Sequence, residues 1–131
     1  MTGYILDDLA LVAGLAATAG EHERREMSLL IHDAIHGGPP LDVPALCLSE
    51  AATARRSIGG HVADLVASAP SGAVAVREFV RDGGLDHVRA ACPALDWAGA
   101  HAATRALATG QPIVTMHPDR YRDFAVETMT L

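Results

Sequence analysis

Lysine is missing from this chain altogether, so its ten basic residues are all arginine. Against sixteen Asp and Glu they leave a formal net charge of −6. That is the wrong sign for a protein that grips nucleic acid through a broad basic face, and any such contact must be local. Cysteine is confined to Cys47 and Cys92, which lack the close spacing of a metal or redox motif. They point to reduced thiols packed in the core of a cytoplasmic protein. No apolar run approaches the roughly 20 residues needed to span a bilayer. The segment 1–20 has an apolar centre, but Asp7 and Asp8 stand where a secretory leader needs positive charge, which argues against secretion. No glycine-rich loop has the P-loop or dinucleotide pattern, and His22-Glu23 lacks the second histidine of a zinc protease motif. Internal repeats and low-complexity linkers are absent too.

What the chain does have is apolar content: half of its 131 residues, enough for a single domain over 1–131 with a core of its own. The first apolar run, Tyr4-Ile5-Leu6, stops on Asp7 and Asp8 and reads as a strand opening into a helix. Helical spacing predicts helices over 9–19, closed by Gly20, and over 21–36. A strand is expected at 41–44, then helices at 45–56 and 61–69 separated by Gly59-Gly60. Further strands are expected at 73–80, 112–115 and 124–129, and helices at 85–91 and 96–109. Strands alternating with helices in this way predict a three-layer α/β/α sandwich around a mainly parallel sheet of four to five strands.

In such a sheet, ligands gather outside the C-terminal ends of the strands, which places Asp7 and Asp8 at the functional edge. Either residue also serves as a helix N-cap. His32 and His36 lie four apart on one helix face, a spacing compatible with zinc but also with a solvated surface. His101 falls on the late helix, as a contact to a ligand or as a satisfied internal histidine. Arg24-Arg25 and Arg55-Arg56 are the close basic pairs, suited to phosphates, to a partner's acids or to plain solvation.

Three stretches together resemble the PIN domains, small metal-dependent ribonucleases that are often the toxins of bacterial toxin and antitoxin pairs. They are the strand ending on Asp7, the segment Val43-Pro44-Ala45-Leu46-Cys47-Leu48-Ser49-Glu50, and the late helix followed by Gly110-Gln111-Pro112-Ile113-Val114-Thr115. The resemblance implies a carboxylate-held Mg²⁺ or Mn²⁺ that activates water and neutralises charge during RNA phosphodiester hydrolysis. It matches Asp7 and Glu50 to two of the family's acids. Where the family has Thr or Ser after the first acid, this chain has Asp8.

The third acid falls at Gly99, which has no side chain to offer; Asp96, one helical turn earlier, could lean into the pocket or merely cap the helix. The fourth falls at His117, with Asp119 two residues on. The candidate ligands are therefore Asp7, Glu50, Asp96 and Asp119, with Asp7, Glu50 and Asp96 as the catalytic set. The resemblance also implies a homodimer or an antitoxin-like partner held by the first two helices. Two activities follow: a metal-dependent endoribonuclease of the toxin type, or a PIN-like protein that has lost hydrolysis and works by binding, for which Gly99 and His117 speak.

Overall fold

In a computed structural model that describes residues 3–131, the strands are β1 (Tyr4–Leu6), β2 (Leu41–Pro44), β3 (Val74–Arg77), β4 (Ile113–Val114) and β5 (Thr128–Met129). The first two residues of the segment weighed above as a leader lie outside that range. The helices are α1 (Asp8–Leu15), α2 (Glu21–Ile35), α3 (Ala45–Ala54), α4 (Ser57–Ser68), α5 (Gly83–Ala91) and α6 (Trp97–Thr109). The five strands form one sheet in the order β3-β2-β1-β4-β5, with every pairing parallel. The fold is the three-layer α/β/α sandwich expected from the alternation of elements.

The period-2 rule of strands divides the core. Leu6, Leu41, Val43 and Val114 face a layer built from α1, α2 and α4, where Leu11, Met27, Ile58 and Val62 are buried. Ile5 and Ile113 face the opposite layer of α5 and α6, with Leu85, Val88 and a run of α6 alanines. Helix α3 contributes to both, Ala51 to the first and Cys47 to the second.

Several boundaries differ from expectation for identifiable reasons. Helix α1 ends at Leu15 rather than Ala19: Ala16 is already extended, and Arg24 Nη2 takes the carbonyls of Ala17 and Ala19. Gly20 consequently starts α2 as its N-cap instead of closing α1. Helix α3 stops at Ala54, with Arg55 extended. Gly59-Gly60 lies inside α4 rather than before it, because Ile58 and Val62, one turn apart, are both buried and hold that stretch on the core. Strand β3 stops at Arg77 because its partner β2 ends opposite it at Pro44. Pro44 has no N–H and begins the turn into α3, so residues 78–80 have nothing to pair with. Strand β5 holds only the last two residues of the expected 124–129.

Candidate functional site

Strand order reverses at β1: β2 and β3 lie on one side, β4 and β5 on the other. The crevice between the C-terminal ends of β1 and β4 is thus the switch point where this architecture places ligands. Asp7 sits there, with no exposed surface. It is the N-cap of α1: Oδ1 accepts the Ala10 N–H at 2.9 Å, as a short carboxylate at an extended Ncap does. Asp8 follows in the first turn, also buried. Asp96 caps α6 in the same manner, accepting from Gly99 N at 2.8 Å. Capping and clustering are therefore not alternatives: Asp7 caps through Oδ1 and turns Oδ2 to the crevice, while Asp96 uses Oδ1 for both its cap and its crevice contact.

They meet on Arg120. A 3₁₀ turn over Pro118–Tyr121 follows β4 and returns two side chains into the crevice. Arg120 Nη1 lies 2.6 Å from Asp8 Oδ1 and 3.3 Å from Asp7 Oδ2, and Nη2 lies 2.5 Å from Asp96 Oδ1. Tyr121 donates its hydroxyl to Asp7 Oδ2 at 2.8 Å. The Arg120 side chain is 9 % exposed, that of Asp96 59 %. Burial disfavours the guanidinium charge, but hydrogen bonds and charge from Asp8, with the bond to Asp96, outweigh it and hold its pKa above the usual arginine range. Burial pushes the Asp7 carboxyl above its ordinary 3.8, with the Asp8 charge adding, against hydrogen bonds from Thr115, Ala10 and Tyr121. Burial and the Asp7 charge also push the Tyr121 phenol far up, so it acts as a donor.

The other expected site residues are placed less centrally. Glu50 is exposed on α3 and lines two neighbouring clefts, one of about 470 Å³ shared with Asp96 and Trp97, one of about 500 Å³ shared with Asp8 and Met116. Asp119 is exposed, and among the described residues its side chain joins none of the cluster's ion pairs. His117 is exposed as well, its N–H donating to Thr115 Oγ1 at 3.1 Å. Gly99 lies against the cluster itself: a Cβ there would come within 2.6 Å of Leu95 Cδ1, 2.8 Å of Arg120 Nε and 2.9 Å of Asp96 Oδ1.

This donor set does not fit the divalent ion that the resemblance implies. Mg²⁺ asks for near-octahedral oxygen ligands at about 2.0–2.1 Å, whereas both oxygens of Asp7 and the Oδ1 atoms of Asp8 and Asp96 are already taken by N–H and O–H donors. Among the described residues, no three or more His, Cys, Asp or Glu are grouped so as to hold a metal ion.

Elsewhere most buried polar groups find partners within the chain, Arg105 Nε being a buried atom that has none. His101 accepts the Leu46 N–H on Nδ1 at 3.3 Å and donates from Nε2 to the Glu78 carbonyl at 3.2 Å, tying α6 to the start of α3 and the segment after β3. Asp42, buried in β2, pairs with Arg77 Nε at 3.0 Å and Arg105 Nη2 at 3.4 Å. Cys47 Sγ donates to the Ala98 carbonyl, and burial, with the charges of Asp8 and Asp7, pushes its thiol well up, which makes it a packing residue. His32 and His36 stack at 4.1 Å on an exposed face.

Sequence reasoning missed Arg120, Tyr121, Asp42, Arg77 and Arg105 as site or core polar residues. The signal for Arg120 was available, because the rule that places Asp7 at a strand's C-terminal edge applies equally to the turn after β4.

No family model matches the chain, and no curated protein matches it. Among solved structures it is similar to the crystal structure of PAE2754 from Pyrobaculum aerophilum, with a TM-score of 0.57 and 17% identity over 98% of this chain and 90% of that one. At that identity the likeness is one of fold.

Proposed function

We propose that this chain is a PIN-like protein that keeps the acid-lined edge of the sheet but acts by binding rather than by hydrolysis. The observation that carries the proposal is Arg120, whose guanidinium takes the inward oxygens of Asp7, Asp8 and Asp96. The guanidinium neutralises these carboxylates and occupies the space before them, and Asp7 is hydrogen-bonded on both of its oxygens. The binding face we assign is the cleft of about 720 Å³ between α1, α2 and α4, where Leu15, Ile31, Ile35 and Leu65 supply apolar surface and Arg24 a charge. Its size and mixed lining suit a protein segment, such as a second copy or an antitoxin-like partner.

The test is a cleavage assay on single-stranded RNA with Mg²⁺ or Mn²⁺, beside calorimetric titration of the same ions. RNA is expected to stay whole, with no ion bound at millimolar concentration. Metal-dependent cleavage that disappears in Asp7→Asn and Glu50→Gln would overturn the proposal. It would favour instead a Mg²⁺- or Mn²⁺-dependent endoribonuclease of the toxin type, with Asp7, Glu50 and Asp96 as its acids. One observation stands on that side: Glu50 shares a cleft with Asp96 and another with Asp8.

A further inference from the structure

The charge lining the cleft between α1, α2 and α4 runs against that of the chain. Sixteen Asp and Glu stand against ten Arg in the sequence, and α2 alone carries Glu21, Glu23, Glu26 and Asp33. None of these four lines the cleft, and no other acid does among the described residues. The α2 residues that do, Arg24, Ser28, Ile31, His32 and Ile35, fall at the spacing of one helix face. Helix α4 adds His61 and Leu65, one turn apart, and the C-cap of α2 adds His36. The apolar side of this lining is half-buried, whereas Arg24 and the three histidines are exposed. Arg24 is tethered: Nη2 donates to the carbonyls of Ala17 at 3.0 Å and Ala19 at 3.5 Å, while Nε and Nη1 have no protein partner among the described residues. His36 stacks on His32 at 4.1 Å and donates from Nδ1 to the His32 carbonyl at 2.7 Å. The acid paired with these imidazoles is Asp33, its Oδ1 3.7 Å from His32 Nδ1.

We infer that the occupant of this cleft is an amphipathic helix of another protein, with an apolar stripe flanked by carboxylates. The inference rests on the cleft being the binding face and adds the sign of the charge that it selects. A helix is what an apolar groove takes up through side chains at i, i+3, i+4 and i+7. Carboxylates are what a tethered guanidinium and imidazole N–H donors recognise, and complementary charge around an apolar contact sets the choice of partner more than raw affinity. A second copy of the chain fits less well. Across a two-fold axis through the cleft its rim meets its own rim, arginine and imidazole against arginine and imidazole. Contact with the acids of another copy's α2 is instead head-to-tail, which leaves one cleft of an open assembly unfilled.

The probes are two synthetic peptides of about 16 residues, cross-linked to hold the helix, with the same leucine stripe and with either Glu or Lys at the flanking positions. Calorimetry gives the affinity and amide NMR shifts give the place. The Glu peptide is expected to bind about tenfold more tightly than the Lys peptide at about pH 6 and low salt, as a few partly screened ion pairs together produce. Shifts should fall on the cleft residues of α1, α2 and α4, among them Leu15, Ile31 and Leu65. The preference should shrink on going to about pH 7.5, because imidazoles lose charge over that range while carboxylates keep theirs. It should shrink again in high salt. His32→Glu combined with His61→Glu, both at exposed positions, should reverse the order of the two peptides.

Equal binding of the two peptides by the wild type, or tighter binding of the Lys peptide, overturns the inference and leaves the binding face standing. So does a failure of both peptides to shift the cleft amides. Shifts of those amides on concentrating the protein by itself overturn it in favour of a second copy. Metal-dependent RNA cleavage would sink the proposed function alone, because the peptide preference is read without metal or RNA.

Discussion

His101 shows how a single buried residue carries information about both charge and tautomer. Its Nδ1 faces the Leu46 N–H and its Nε2 faces the Glu78 carbonyl, so the neutral ring with its proton on Nε2 satisfies both partners and a second ring proton would meet a donor. Burial holds its pKa below the ordinary 6.5, with the nearby Arg105 charge adding and the Glu78 bond opposing. Between that depressed value and about 6.5 the unfolded chain binds a proton that the folded chain does not, so stability rises with pH there. The contribution is whole above pH 6.5 and is lost as pH falls through the folded value. The thermal midpoint is expected to drop on going from about pH 7.5 to about pH 5, and His101→Gln should flatten that part of the profile relative to the wild type. Parallel profiles for the two proteins would show that His101 does not carry the dependence.

At the scale of the element, helix contacts are set by small residues as much as by large ones. Helix α1 approaches α2 at Gly14, where a Cβ would lie 2.6 Å from Met27 Cβ, and Met27 is itself buried. Gly14→Ala is expected to lower stability in urea unfolding by about 1–3 kcal/mol, the cost of forcing extra volume into a packed contact, despite alanine's better helix propensity. A neutral or stabilising result would mean that α1 and α2 part without penalty.

Elements of this kind were legible from the chain wherever a periodic apolar stripe met a definite stop. Tyr4–Leu6 ending at Asp7, Leu41–Pro44 and the helix closing on Gly110, whose φ of 73° is the left-handed value glycine favours, all lie where periodicity placed them. The errors fell where tertiary context decides: β3 stops because a neighbouring strand has ended, and α4 runs through two glycines because Ile58 and Val62 are anchored. The site was half legible for a related reason. Asp7 and Asp96 reveal themselves through local capping grammar, whereas Arg120 acts 112 and 113 residues away from Asp8 and Asp7 in the chain, a distance that no local pattern encodes.

In the whole molecule, strength is graded from the middle of the sheet outward. Strand β1 is flanked on both sides, and its backbone donates to both neighbours: Tyr4 N to Pro40 O at 2.9 Å, Ile5 N to Pro112 O at 2.9 Å and Asp7 N to Val114 O at 3.2 Å. Strand β5 is a two-residue edge that receives Ile113 N through Glu127 O and Thr115 N through Met129 O. Hydrogen exchange should therefore find the Ile5 and Asp7 amides opening only with global unfolding, and those of Ile113 and Thr115 opening at lower free energy. Equal protection across the sheet would contradict a graded structure.

The two charge knots around buried carboxylates, Asp42 with Arg77 and Arg105, and Asp7 with Asp8 and Arg120, join segments distant in sequence. Such pairs add little net stability but punish mispairing, which favours one arrangement of the layers over its rivals. The second knot has a consequence at the level of supply. A positive charge built into the polypeptide has an occupancy of one by construction and an effective concentration that no dilution lowers. A chelator cannot strip it, a scarcity of metal cannot empty it, and a more abundant ion cannot retune it. The crevice of this protein is then filled once, as the chain folds, by a charge that the polypeptide itself carries.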